Sequence, residues 1–330
     1  MSIPGKQLPL AITLETFLVG FSDDERKKTA ETLLNTLEGQ IENLNTRRAY
    51  KTAWSQFFRF CSKKKLELNQ VRPYHFELWR NHHTGGVATQ RQHLAAIRLL
   101  FDELLRSGIV DLNPAARVRV PRLNRALSHT PIFEEEEIKS FMDGLEPVSL
   151  IEFRDRALFS TMLYTWARVS AVIALQVEDY YERKGIRWLR LKEKRGNLNE
   201  VPVHSLARNA IDEWLTESGL NGSPSMPFFP AFSENRELIT TRHMTRVNVW
   251  TLIQTRARAI GIKKRIGCHS FRATGLTAYM NAGGQLDIAQ RIAGHSQLST
   301  TKIYDRSKDR VTIEEIEKVS FQDETDRSVA

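Results

Sequence analysis

Apolar positions in the first third of the chain recur with helical spacing. After Ser22, the acids Asp23, Asp24 and Glu25 suit a first helical turn, and Ala30, Leu33, Leu34 and Leu37 follow on one stripe. Asn45 can cap a second helix whose inner face is Trp54, Phe57, Phe58 and Cys61, spaced i, i+3, i+4 and i+7. Pro73 opens a shorter helix through Trp79. Thr89 starts a fourth, with Leu94, Ile97, Phe101, Leu104 and Leu105 inward and Gly108 at its end. Four amphipathic helices with short links predict a small all-α bundle. The second helix turns Arg47, Arg48, Lys51 and Arg59 outward, and the fourth Arg91, Gln92 and Arg98.

The texture changes at Asn113-Pro114. Pro121 and Pro131 interrupt a stretch containing Arg117, Arg119, Arg122 and Arg125 and little that could pack, which predicts a basic linker and a domain boundary over 114–131. Beyond it the pattern is mainly helical, with helices expected at about 206–218, 241–260, 270–282 and 285–293 and short ones near 299–306 and 312–320. The exception is a β-hairpin: Ile186–Leu191 and Glu200–Val203 flank the polar loop Glu193–Asn199, and Pro202 places its strand at a sheet edge. The fold class expected is mainly α with a small β-sheet, and 330 residues are more than one core prefers.

Composition narrows the class. No run of about 18 apolar residues exists, which argues against a membrane span. The first residues lack a charged region followed by a long apolar one, so a cytoplasmic location is expected. Cys61 and Cys268 cannot build a disulfide framework or a Cys-rich zinc site. The net charge of +9 is unevenly spread. Residues 1–43 carry 4 basic and 7 acidic side chains, residues 44–130 carry 16 and 5, and the remainder 28 and 27. A surplus confined to the second stretch fits a polyanion, although a merely solvated basic face would have the same composition. Basic helical faces, a basic linker and a second domain together predict a clamp around duplex DNA.

The residues that could do chemistry lie in the second domain. Cys268-His269-Ser-Phe-Arg272 puts His269 and Arg272 three apart, on one helical face. Ala293-Gly294-His295 and Ile303-Tyr304 follow. Upstream, Arg168 stands alone in a largely apolar run, and the hairpin loop offers Lys192, Lys194 and Arg195. Singly, each has a plainer reading: Arg168 paired with Asp179, Lys194 solvated, His295 a cap or core hydrogen-bonder, Tyr304 a packing residue. The two histidines lack the companion ligands of a zinc site, so no metal is expected. Together the set answers a specific need, the cleavage of a phosphodiester without metal. Tyrosine is a nucleophile that leaves an ester, arginine forks fit the nonbridging oxygens, and a lysine can protonate the leaving oxygen.

In order and spacing these motifs resemble the tyrosine recombinases, the phage-integrase family, over roughly residues 44–310. His269-x-x-Arg272, Gly294-His295 and Tyr304 match the C-terminal motifs, Arg168 and Asp179 the first arginine box, and Lys194, eight before Pro202, the hairpin lysine. Thr46-Arg47-Arg48-Ala-Tyr50, the helix from Thr89 and Asn113-Pro114 resemble the core-binding module. Two positions depart: the family often has Gly two before the first arginine and Glu three after it, where this chain has Trp166 and Ala171. The resemblance implies an N-terminal helical, SAM-like core-binding bundle (44–113), a linker (114–131) and a catalytic domain (132–310). Residues 1–43 form an extension with a helix, and 311–330 a tail helix exchanged between subunits. It further implies site-specific cleavage and rejoining of double-stranded DNA by a homotetramer, with no cofactor. The catalytic set would be Arg168, Lys194, His269, Arg272, His295 and Tyr304. DNA contacts would come from Arg47, Arg48, Lys51, Arg91, Gln92, Arg98, Arg117, Arg119 and Arg122. The short stretch before residue 44 suggests a simple recombinase without an arm-binding domain. A type IB topoisomerase and a catalytically silent DNA-binding regulator are the alternatives.

Overall fold

The computed structural model describes residues 22–119, 130–193, 197–294 and 301. The chain divides into two compact units, residues 1–124 and 125–330. In the first, α1 (Asp23–Gln40), α2 (Leu44–Lys63), α3 (Pro73–Asn81) and α4 (Val87–Arg106) surround one core. The helix starts follow cap chemistry. Ser22 and Glu25 form a reciprocal capping box on α1. The Asn43 side chain accepts from the backbone N–H groups of Asn45 and Thr46, so the cap of α2 lies two residues before the one expected at Asn45. The predicted stripe of Trp54, Phe57, Phe58 and Cys61 is buried, Phe57 stacks on Phe76 at 5.1 Å, and the Trp54 indole donates to Ala96 O at 2.7 Å.

Ala30, Leu33 and Leu37 of α1 belong to the same core as α2–α4, as the four-helix pattern predicts. The first residues of the expected linker are also packed. Ala115 is fully buried, Val118 lies against the core, and Asn113 bridges the Asp102 carboxylate and Arg98 O. Pro114 stands eight residues past the end of α4, and side-chain hydrogen bonds hold the segment down.

The second unit is built around α6 (Leu150–Thr165), which is apolar on most faces and packs against α8 (Ser205–Ser218) and α10 (Cys268–Asn281). Thr161 and Thr165 are buried within it because their hydroxyls donate to the carbonyls four residues back. α5 (Glu135–Asp143) brings Phe141 into an aromatic cluster with Phe133, Phe159 and Phe271, ring centroids 5.1–5.4 Å apart. After the single turn α7 (Val169–Val172), β1 (Tyr180–Arg183), β2 (Ile186–Lys192) and β3 (Leu198–Pro202) form an antiparallel sheet in that order. Leu189, Leu191 and Val201 share its buried face, and Pro202 lies on the edge strand, where a missing N–H is tolerated. β1 was not expected. Nor was the pair β4 (Pro230–Phe232) and β5 (Ile239–His243), which overturns the helix expected from 241. There the β-branched Ile239, Thr240 and Thr241 extend, and α9 (Arg246–Ala259) starts only where Thr245 caps it by accepting from Asn248 N–H. α11 (Leu286–Ala293) ends at Gly294. No helix among the described residues is long and apolar enough to cross a membrane.

Candidate active site

Three segments of the second unit meet at Arg272. This side chain is 1% exposed, and it donates from Nη1 to Trp166 O and from Nη2 to Ala293 O, the latter at 2.7 Å. Those carbonyls precede Arg168 by two residues and His295 by two. One buried guanidinium therefore joins the turn after α6, the first turn of α10 and the end of α11.

The turn after α6 is strained. Trp166 caps the helix in the left-handed region, at φ 53° and ψ 20°, a conformation costly for a bulky side chain. A glycine there would adopt it freely, which gives a physical reason for the family's preference two residues before the arginine. The indole is held by packing instead: Tyr279 lies 5.1 Å away, and Gly275 of α10 leaves the space it fills. A Cβ on Gly275 would come within 2.5 Å of the indole and 2.3 Å of Leu163 O.

Arg168 itself is held by one carboxylate. It caps α7, and its side chain is 39% exposed while Nη1 donates to Glu193 Oε2 at 2.6 Å. The partner suggested by sequence, Asp179, is 2% exposed and sits 3.6 Å from Lys192 Nζ instead. Ala171 is buried and offers no acid, so the arginine takes its carboxylate from the hairpin.

His269 stands in the first turn of α10, still open to solvent but among enough protein to desolvate its ring. That desolvation, with the nearby charges of Arg272 and Arg168 acting in the same direction, holds its pKa below the ordinary histidine value. An imidazole that these two charges help to keep neutral can accept a proton. The structure therefore brings Arg168, His269 and Arg272 together. Lys194, His295 and Tyr304 lie outside the described residues, as do Arg122, the tail 311–330 and, apart from the buried Thr301, the short helices expected near 299–306 and 312–320.

The candidate DNA-contact residues of the bundle separate into two groups. Arg48, Arg91, Gln92, Arg117 and Arg119 are exposed. Arg98 is turned to its own unit, donating to Ala115 O and Val118 O, and Arg47 donates to Ile41 O and Glu38 O. Lys51 pairs with Glu38 at 3.1 Å. For Arg47 and Arg98 the outward reading is corrected, since carbonyls left bare by helix ends and turns capture their guanidiniums.

Residues 131–310 match the family model described as the phage integrase family. The chain belongs to that family. Among its relatives is the tyrosine recombinase XerC of Leptospira interrogans, 26% identical over 290 residues covering 86% of this chain and 90% of that one. The tyrosine recombinase XerD of Vibrio vulnificus is 31% identical over 212 residues, 64% of this chain and 67% of its own. The fold resembles the XerH site-specific recombinase bound to its difH substrate, with a TM-score of 0.63 at 18% identity, covering 94% and 93% of the two chains. It also resembles a lambda integrase dimer bound to a core site, with a TM-score of 0.66 at 15% identity, covering 87% and 79%.

The phage-integrase relationship makes this chain a site-specific tyrosine recombinase, an enzyme that cleaves and religates DNA, and favours that reading over a topoisomerase or a silent regulator. Sequence inspection missed four residues that shape the recombinase site: Trp166, Glu193, Asn199 and Gly275. Trp166 carried a signal of its own, as a departure from the family pattern, and Ala171 gave an indirect one for Glu193. Glu193 looked like one more polar residue in a charged loop.

Proposed function

We propose that Tyr304 is the nucleophile of this recombinase and that Arg168, Lys194, His269, Arg272 and His295 assist it on one phosphate. The tyrosine oxygen attacks the scissile phosphorus in line as the bond to the 5′ oxygen breaks. The products are a 3′-phosphotyrosyl ester and a free 5′ hydroxyl. His269 takes the phenol proton and Lys194 supplies one to the leaving oxygen. Arg168, Arg272 and His295 stabilise charge on the nonbridging oxygens. Attack by a partner strand's hydroxyl reverses the step, and because the ester retains the bond energy this route calls for neither ATP nor a divalent metal. The observation that carries the reading is the pair of bonds from Arg272 to Trp166 O and Ala293 O, which ties the turns leading to Arg168 and to His295 to the arginine beside His269.

Strand exchange on two duplexes calls for four such sites, so the working unit is a homotetramer on DNA. The seam Ile313, Ile316 and Val319 of the tail docks on a neighbouring copy. The test is covalent trapping on a library of nicked duplexes with randomised arms. The native chain forms a detergent-resistant adduct and Tyr304→Phe forms none while still shifting the trapped duplex; an adduct with Tyr304→Phe refutes the assignment. Deleting 311–330 should reduce pairing of two sites more than binding to one, and unchanged recombination would remove the tail's role.

A further inference from the structure

Glu193 is an unusual place to find a carboxylate. It follows the last residue of β2, where the hairpin turns, yet its side chain is only 6% exposed. One oxygen accepts from Arg168, and the other, Oε1, is buried with no hydrogen-bond partner among the described residues. A buried carboxylate is stable where donors meet it, and among the described residues the side-chain donor it meets is Arg168.

Its position is set by contacts that do not involve Arg168. The Glu193 N–H donates to Asn197 O at 2.7 Å, closing the base of the hairpin loop. Two residues further, the Asn199 amide donates to Ile292 O at 3.0 Å and so ties β3 to the end of α11. Gly294, at φ +60°, completes the clamp: a Cβ there would lie 3.2 Å from Asn199 Nδ2 and 3.6 Å from Glu193 Cγ. The carboxylate thus sits on a fixed mount made by the hairpin and α11. Arg168, by contrast, starts a single-turn helix, and more than a third of its side chain is open to solvent.

We infer that Glu193 is a positioning residue that aims the Arg168 guanidinium at the phosphate, an inference that rests on the role proposed above for Arg168. The carboxylate takes one edge of the planar fork, from Nη1, and leaves the remaining N–H donors toward the open side. A guanidinium fixed at one edge keeps its donors aligned, whereas an unpaired one would lose that alignment to rotation of its long side chain. Because Glu193 is shielded, it does this without presenting its own charge to solvent. It remains on Arg168 when DNA is bound and does not act as a stand-in that the phosphate must displace.

The experiment is single-turnover adduct formation on a nicked duplex of the sequence recovered by trapping. The native chain and Tyr304→Phe serve first to establish that Tyr304 forms the adduct, so a failure of that assignment is seen separately. Glu193→Ala should slow cleavage by between about tenfold and a hundredfold with duplex affinity within about twofold of native. The isosteric Glu193→Gln should slow it less and keep the native melting temperature, which decides the matter if the alanine variant does not fold. The cycle with Arg168→Lys separates positioning from general structural damage. The double variant Arg168→Lys/Glu193→Gln should cleave as fast as Arg168→Lys alone, because lysine has no fork to orient. Losses that multiply, or a Glu193 variant cleaving at the native rate or faster, would overturn the inference; a faster one would show the carboxylate to be a competitor of the phosphate.

Discussion

Two arginines of the same site are held in opposite ways, and the difference is how much of each guanidinium the fold itself uses. Around Arg272 the protein closes completely: the guanidinium is 1% exposed and bonds carbonyls 106 and 21 positions away in sequence. Around Arg168 the protein stays open, with one carboxylate contact and 39% of the side chain accessible. A buried cation that gives hydrogen bonds to backbone holds part of the fold together besides its proposed role at the phosphate. A half-open cation keeps donors for an anion from outside.

The largest effect should come from breaking the closed side. Arg272→Ala removes two charge-assisted hydrogen bonds and leaves two carbonyls bare, a loss of about 3–6 kcal/mol at roughly 1.5–3 each. Arg168→Ala mainly strands the Glu193 carboxylate and should cost about 1–3 kcal/mol. Urea unfolding followed by tryptophan fluorescence compares them, and equal losses would erase the distinction between the two neighbourhoods. Next in size is Gly275→Ala. Its Cβ would press on the Trp166 indole and Leu163 O, so about 1–3 kcal/mol of overpacking should appear in the same assay.

A smaller effect tests the open side electrostatically. A lowered pKa means that the His269 ring is more than half neutral at pH 6.5, the ordinary histidine value, and takes up its proton only at more acidic pH. In Arg168→Ala one of the repelling charges is gone, so the midpoint should rise toward 6.5 in an NMR titration of the His269 ring. An unchanged midpoint would place Arg168 too far away to matter.

The bundle supplies the same contrast at the smallest scale. Arg98→Ala, which frees two carbonyls of the 115–118 turn, should lower stability by about 1 kcal/mol per bond lost. Exposed Arg48→Ala should leave stability alone and reduce the salt slope of DNA binding by about 0.9 if it contacts a phosphate. Salt-dependent binding isotherms beside melting curves would show whether the two kinds of arginine exchange roles.

Legibility followed the range of the forces involved. Helix stripes such as Trp54, Phe57, Phe58 and Cys61 are local, and periodicity alone placed them in the core. The extended segments were harder. β4 and β5 are held by pairing across Pro230–His243 and Phe232–Ile239, and three to five residues carry too little period to distinguish strand from helix. Two cations misled as markers of outward faces for a related reason: Arg47 and Arg98 sit at outward-looking positions, but long side chains fold back to any bare carbonyl nearby. In the site, the motif spacing grouped Arg168, His269 and Arg272, and the bond from Arg272 to Trp166 O brings the turn before Arg168 to the helix that carries His269. It could not pair Arg168 with Glu193, because 25 residues of intervening chain and a sheet register decide that contact. The absence of an acid at Ala171 was the available clue, since a guanidinium in a partly closed site needs a carboxylate from somewhere.

Trp166 and Gly275 carry a consequence for anyone redesigning this enzyme. The wide indole occupies a notch that exists only because the facing helix bears a hydrogen where other residues bear a carbon, so neither position can be exchanged independently. A chimera that imports the arginine box from a relative with glycine at the helix exit would leave that notch hollow. One that imports the opposing helix with alanine in place of glycine would jam it. The two positions should be transplanted together, as a single unit of inheritance split across 109 places in the chain.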